Sequence, residues 1–271
     1  MLQKEVNFIV SSDPINGAIN ISSDGSSFGV ALDQPLVIPD NAENITLQVY
    51  TATIWWTVPN IITGVNDKIR IEEPGVNGGV LFDVFIPQGL YDLVGLSAAI
   101  EREVVDAGYT AGIFTFAGDT ATQKVVITFN VASTRIDFSV AGTFRDILGY
   151  NSQILSNLLV VGKTFLADNV ARFNVLEYFL MTTDLVDSGL RVNNRWNQIM
   201  ARVYIDVAPG SQITYTPFRP ATSSCNKLRG QKITTMRFTL TDQNNILVNT
   251  AGESYSAEIS IKYSIPQKNN F

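Results

Sequence analysis

The chain has no histidine at all among its 271 residues and only one cysteine, Cys225. A serine or cysteine nucleophile activated by imidazole is therefore excluded, as is any metal site built on histidine. One cysteine cannot close a disulfide within the chain, so nothing marks an oxidising compartment. Charge is also scarce, at 16% of residues, and it is slightly acidic, with 19 Lys and Arg against 25 Asp and Glu. A net charge of −6 leaves no chain-wide electropositive footprint for nucleic acid. No apolar run approaches the length that spans a bilayer, and Met1-Leu2-Gln3-Lys4-Glu5 does not open an apolar leader. The expectation is a cytosolically made, unsecreted protein.

What is present instead is a strand-forming mixture. Hydrophobic residues make up 45% of the chain, enough for one large core or two modest ones. Ser, Thr, Asn, Val and Ile are plentiful, which favours strands and turns over helices. The last third reads as consecutive strands. In Asn197 to Val207, Ile199, Ala201, Val203, Ile205 and Val207 take one face, with Arg202, Tyr204 and Asp206 on the other. Ala208-Pro209-Gly210 turns the chain into a short return strand with Ile213 and Tyr215. Thr234 to Leu240 and Tyr255 to Ile265 then alternate in the same way. Strands with one apolar and one polar face belong to antiparallel sheets packed on a second sheet.

Earlier in the chain, Glu5 to Ser11 reads as an arm or edge strand, and Phe28 to Ile38 as a strand broken near Pro35. Asn44 to Val58 is a long strand whose apolar phase changes near Tyr50. That change predicts a bulge, or a strand leaving the main sheet. From Asn60 to about Val161 the periodicity changes. Lys68–Ile71 and Val80–Ile86 suggest a hairpin, and Asp92 to Ala107 suggests a helix with Asp92 as N-cap and Gly108 beyond its end. Three short strands and a helical turn over Phe144–Leu148 follow. The expected fold is mainly β: a jelly-roll β-sandwich from residues 1–59 and 162–271, with a small α+β subdomain, 60–161, inserted into it.

Chemistry-bearing patterns are few. Cys225 lies in a polar Ser-Ser-Cys-Asn stretch and reads as a plain loop thiol. Asp184 with Asp187, and Glu72 with Glu73, sit in turn-like segments and read as solvated turns rather than a glycosidase pair. Asp242-Gln243-Asn244-Asn245 lacks the glycine and terminal glutamate of a calcium loop and reads as a hairpin turn. Gly75, Gly78 and Gly79 are not followed by the Lys and helix of a phosphate loop. Trp55 and Trp56 must face opposite ways on a strand, one into a core and the other toward a partner. Trp196, between Arg191 and Arg195 on one side and polar residues on the other, and outward Tyr204 complete the candidate interface residues Trp55, Trp56, Trp196 and Tyr204. Lys227, Arg229 and Lys232 form a small basic cluster that suits an acidic neighbour, lipid or genome, or simply a solvated face. No catalytic residue, cofactor or metal ligand is assigned.

Several segments resemble the penton-type vertex proteins of icosahedral viruses of the double-jelly-roll lineage, the virophages and Polinton-like viruses. They are Val58-Pro59-Asn60-Ile61, Ile86-Pro87-Gln88-Gly89-Leu90-Tyr91 before the helix, Phe144-Arg145-Asp146-Ile147-Leu148-Gly149-Tyr150, and Leu228-Arg229-Gly230 leading to Phe238–Asn244. None is chemically specific; their order and spacing along most of the chain carry the likeness. The resemblance implies a single jelly roll with an insertion, a structural and non-enzymatic role, and five copies at each vertex of a virion. The partners it implies are the chain itself as a homopentamer, neighbouring major capsid proteins, and a spike or fibre. It also brings in proximity to an internal membrane, without direct sequence-specific nucleic acid binding. A two-jelly-roll major capsid protein and a carbohydrate- or receptor-binding module that uses an exposed tryptophan are the alternative readings.

Overall fold

The computed structural model describes every residue except 159, 175, 188, 190, 193, 194, 197 and 268–271. The chain divides into two compact units, Met1–Val58 with Leu176–Phe271, and Pro59–Val175.

The first unit is built on eight strands, numbered here along the chain: β1 (Leu2–Ser11), β2 (Ser27–Val37), β3 (Glu43–Trp55), β4 (Tyr178–Thr183), β5 (Ile199–Tyr204), β6 (Gln212–Tyr215), β7 (Lys232–Thr241) and β8 (Ser256–Ile265). Strand β1 pairs with β8, β2 with β7, β3 with β6 and β4 with β5, all antiparallel. This is the pairing of one long two-stranded ribbon folded on itself. Cross-pairings of β8 with β3 and of β7 with β4 join the ribbon into two sheets, ordered 1-8-3-6 and 5-4-7-2. That strand order is a jelly roll. Short strands Thr222–Ser224 and Ala18–Ile19 extend the sheets alongside β3 and β2.

The two sheets bury their facing residues. Ile45, Leu47, Ala52, Ile54, Ile259 and Ile261 come from one sheet, and Phe28, Phe179, Met181, Val203, Met236, Phe238 and Leu240 from the other. Phe28 stacks on Phe238 at 5.3 Å and meets Tyr255, just before β8, edge-on at 5.2 Å. The first contact is a cross-strand pair within one sheet, whereas the Tyr255 contact crosses the interior and ties the two sheets together beyond the area it buries.

The phase change near Tyr50 is a bulge. Glu258 opposes Thr51 but Ile259 opposes Val49, which leaves Tyr50 as the extra residue. The buried set accordingly shifts from Ile45, Leu47 and Val49 to Ala52 and Ile54. The strand stays in its sheet to Trp55. Strand β5, in contrast, is shorter than the alternation suggested: it ends at Tyr204, and Asn197 lies outside the described residues.

The second unit has its own apolar core, including Ile69, Ile71, Leu96, Ile100, Val104, Phe129, Phe138 and Phe144. Hairpin Lys68–Glu72 with Phe82–Phe85 is followed by helix α1 (Leu93–Asp106). Asp92 caps the helix by accepting from the Gly95 amide at 2.7 Å, and Gly108 follows it with φ +88°. The hairpin is widened to a four-stranded sheet by Arg135–Asp137 and Ile154–Ser156, and Lys163–Leu166, Lys124–Phe129 and Phe114–Asp119 form a separate three-stranded sheet. The expected boundary at residue 161 falls short, because Lys163–Leu166 pairs with Lys124–Phe129 and the unit runs to Val175.

Candidate interface residues

Trp56 is buried, whereas Trp55 is about one-third exposed on the outer face of the β1-containing sheet. The two-residue strand period thus separates the indoles. The Trp56 carbonyl accepts from the Gly210 amide at 2.9 Å, and its amide donates to the Ser211 carbonyl at 3.0 Å. Trp56 is therefore part of the core, and Trp55 is the surface member of the pair. Trp196 lies in a two-residue strand paired with Arg191; its side chain is outside the described residues.

Tyr204 is half exposed on the outer face of the other sheet. The Arg202 guanidinium lies 4.6 Å from its ring centre and 5.4 Å from that of Tyr178, and the two rings meet edge-on at 6.0 Å. Tyr178 and Tyr204 stand directly opposite each other across the β4–β5 pair. The guanidinium thus packs beside both phenols, which meet each other directly. The sequence pattern placed Arg202 and Tyr204 outward. It missed Tyr178, whose partner strand is far away in sequence. Trp55 and Tyr204 belong to the outer faces of different sheets, so the candidates do not form one patch.

A second polar cluster stands on the outer face of the β1-containing sheet. Glu5 Oε1 accepts from the Tyr50 hydroxyl at 3.0 Å and from the Ser260 hydroxyl at 2.8 Å, and Lys262 Nζ reaches the Tyr50 oxygen at 2.7 Å. The Ser260 and Tyr50 hydroxyls, with Lys262 beside them, lower the Glu5 pKa below the ordinary carboxylate value.

The remaining candidates are structural. Cys225 is fully buried, not a loop thiol in solvent. Its amide donates to the Ile45 carbonyl at 2.9 Å, which draws the polar stretch onto β3. Burial, with Asp187 nearby, pushes its pKa up to about 12, away from any nucleophilic form. Asp184 Oδ1 accepts from the Arg237 amide at 3.0 Å and Asp187 Oδ2 from the Lys227 amide at 2.9 Å, so both fix turns. Lys227 donates to the Val186 carbonyl at 2.8 Å, which removes it from a free basic cluster. Glu72 pairs with Arg135 at 3.2 Å, whereas Glu73 is buried and accepts from the Thr110 amide and hydroxyl. Asp242 Oδ1 accepts from the amides of Asn244 and Ile246, closing the expected hairpin turn. Among the described residues, no three of Cys, Asp and Glu gather to hold a metal ion. No described helix is long and apolar enough to cross a membrane.

Three of the four segments that carry the family resemblance make contacts that hold the second unit together, whereas the fourth, from Leu228 to Asn244, belongs to the first unit. Asn60 donates to the carbonyls of Tyr91 at 2.7 Å and Phe173 at 3.0 Å, and accepts from the Tyr91 amide at 2.9 Å. Ile61 bridges Gly89. The first two segments are thus clasped to each other. Gly149 ends helix α2 (Arg145–Leu148) with φ +83°, and any Cβ there would meet the Asn169 carbonyl oxygen at 2.3 Å. Beside it, the buried Tyr150 hydroxyl lies 2.6 Å from the Phe165 carbonyl and 3.1 Å from that of Val125.

No protein-family model matches the chain, and no curated protein does. Among solved structures, the mavirus penton protein is similar over 97% of this chain and 100% of its own, with 10% identity and a TM-score of 0.48. A chain of the Sputnik virophage, from its cryo-EM structure, is similar over 96% of this chain and 97% of its own, with 14% identity and a TM-score of 0.40.

Proposed function

We propose that the protein is a structural, non-enzymatic subunit of an icosahedral virion, a penton building block whose partners are copies of itself and neighbouring capsid proteins. The observation that carries the reading is topological: a single eight-stranded jelly roll whose β3–β4 connection contains an entire second unit, Pro59–Val175. Fold alone never fixes function, so the reading also rests on the segments that resemble penton-type proteins. Three of them cluster on the packing of that second unit, at Asn60, Gly89 and Gly149–Tyr150. One jelly roll in the chain, rather than two, favours the vertex protein over the double-jelly-roll major capsid protein.

A five-fold ring is a heterologous contact that closes, so the two flanks of the subunit differ and complement each other. The Tyr178–Arg202–Tyr204 cluster and Trp55, on opposite faces of the sandwich, are proposed as contacts on two such flanks. With only 16% charged residues in the chain, the ring is held mainly by apolar area and responds weakly to salt. Native mass spectrometry of the purified chain, alone and with a major capsid protein, is expected to give pentamers that survive molar salt. Trimers would hand the case to the major capsid reading. A monomer that binds glycans and loses them on Trp55→Ala would favour the binding module.

A further inference from the structure

The sheets of the jelly roll have four edges, and among the described residues three of them are blocked. Strand β6 and the short strand Thr222–Ser224 form one edge, interrupted by an excursion that contains Pro217 and Pro220. Edge strand β5 is six residues long and opposes a register shift at Met181/Thr182. It carries Arg202, and the Ser223 hydroxyl donates to its Ile199 carbonyl from the neighbouring sheet. Beyond its pairing with Ala18–Ile19, β2 holds Asp33 and Pro35 and is out of register with β7. Short strands, prolines, charges and bulges are the devices by which sheets refuse further strands.

The fourth edge, β1, is different. Its ten residues pair with β8 in unbroken register, with no bulge and no proline. Lys4 and Glu5 guard its first half, but Val6-Asn7-Phe8-Ile9-Val10-Ser11 contains no charge, proline or glycine. Ser12, next in the register, donates its amide to the Tyr255 carbonyl. Hydrogen-bonded and non-bonded pairs alternate along an antiparallel ladder, so Val10, Phe8 and Val6 bond to β8. The N–H and C=O groups of Asn7 and Ile9 therefore point to the open side. The side chains point the same way: Ile9 is 84% exposed on the outer face, and Val6 and Phe8 are partly buried on the inner face rather than fully covered like Val10.

We propose that the Val6–Ser11 edge accepts an extended segment of a different polypeptide of the shell, added as a further strand of the jelly roll. The proposal rests on the capsid reading above. Main-chain bonds to Asn7 and Ile9 supply the affinity, and alternate side chains the specificity. The segment is uncharged, with apolar residues that cover Val6 and Phe8 on one face and Ile9 on the other. A second copy of this chain fits poorly. Its other edges are blocked, and two β1 strands related by a two-fold axis through Asn7 would set Lys4 opposite Val10. Six residues span only about 20 Å of strand, and such a contact falls well below the roughly 1,600 Å² of a standard interface.

Amide hydrogen exchange on shells that contain this chain, compared with the isolated full-length chain, tests the idea. The Asn7 and Ile9 amides are expected to exchange at least about a hundredfold more slowly in the shell, while Val6, Phe8 and Val10 are protected in both. Ile9→Pro removes one outward N–H without touching the β8 ladder. The variant is expected to melt like the parent yet be left out of shells, whereas Ile9→Thr is retained. A photo-crosslinking residue at position 7 should capture a different polypeptide. Equal exchange of Asn7 and Ile9 in shell and subunit overturns the proposal and leaves the capsid reading intact. Concentration-dependent protection of the isolated chain, with crosslinks to itself, overturns it in favour of a second copy. Absence of the chain from every shell refutes the capsid reading, and the proposal with it.

Discussion

Tyr50, the extra residue of the bulge in β3, donates its hydroxyl to Glu5 across 3.0 Å, linking two strands that do not pair with each other. Strand β8 lies between them, and its Ser260 and Lys262 complete the cluster. Tyr50 continues the outward phase of Thr46 and Gln48, and the bulge inserts Tyr50 and Thr51 together between the buried Val49 and Ala52, so the apolar residues on both sides of it stay buried.

The cluster has a pH signature of definite sign. The Glu5 pKa is lowered, by Ser260 and then Tyr50, so its contribution is present above the ordinary carboxylate pKa and is lost as pH falls through the lowered value. The Lys262 pKa is raised, mainly by the bond to Tyr50, so its contribution is lost as pH rises through that raised value. Ser260→Ala and Tyr50→Phe are each expected to move the Glu5 titration, followed by carboxyl NMR, upward toward the ordinary range. An unchanged titration in both variants would show that the hydroxyls do not hold the carboxylate.

Gly149 and Gly162 separate backbone strain from lack of space. Both have positive φ, +83° and +78°, but only Gly149 faces a carbonyl oxygen where a Cβ would go; Gly162 faces open space. Gly162→Ala should cost about 1 kcal/mol, the left-handed penalty alone. Gly149→Ala should cost about 3 kcal/mol or more, because the Asn169 backbone must also shift. Urea unfolding of the second unit, followed by a signal from Tyr150, reads both. Equal costs would refute the steric account.

Cys225 should be chemically silent in the folded chain. With the thiol buried and its pKa pushed up to about 12, thiol reagents at neutral pH are expected to label it only after denaturation. Cys225→Ala should leave assembly intact and cost roughly 1 to 2 kcal/mol for the small cavity. Rapid labelling of the native protein would contradict the burial.

The inserted unit is expected to be removable as a block. Replacing Pro59–Val175 with a Gly/Ser linker should leave a soluble protein with a β circular-dichroism spectrum. Cutting only to residue 161 strands Lys163–Leu166 without its partner Lys124–Phe129, and should give a less soluble product. If both products are unfolded, the sandwich depends on the insertion and the two-unit description fails as an account of stability.

The sequence by itself determined the local elements. Strand alternation, the Asp92 cap, the glycine beyond α1 and the phase change at Tyr50 all follow from side-chain periods and backbone preferences that act over a few residues, although only the strand pairing decided that the phase change is a bulge. It also excluded imidazole chemistry, because composition needs no fold to be decisive. The tertiary structure decided what depends on contacts between distant residues. Residues 163–166 join the insertion because their hydrogen-bond partners lie some 40 residues earlier, which no local pattern reveals. The burial of Cys225 follows from its pairing to Ile45, 180 residues away, and overrides its polar neighbours. Tyr178 meets Arg202 and Tyr204 only once β4 and β5 are in register. Above all, alternation says which way a side chain faces but not which strand lies alongside. The open edge of β1 therefore became visible only when every other strand had found its partner.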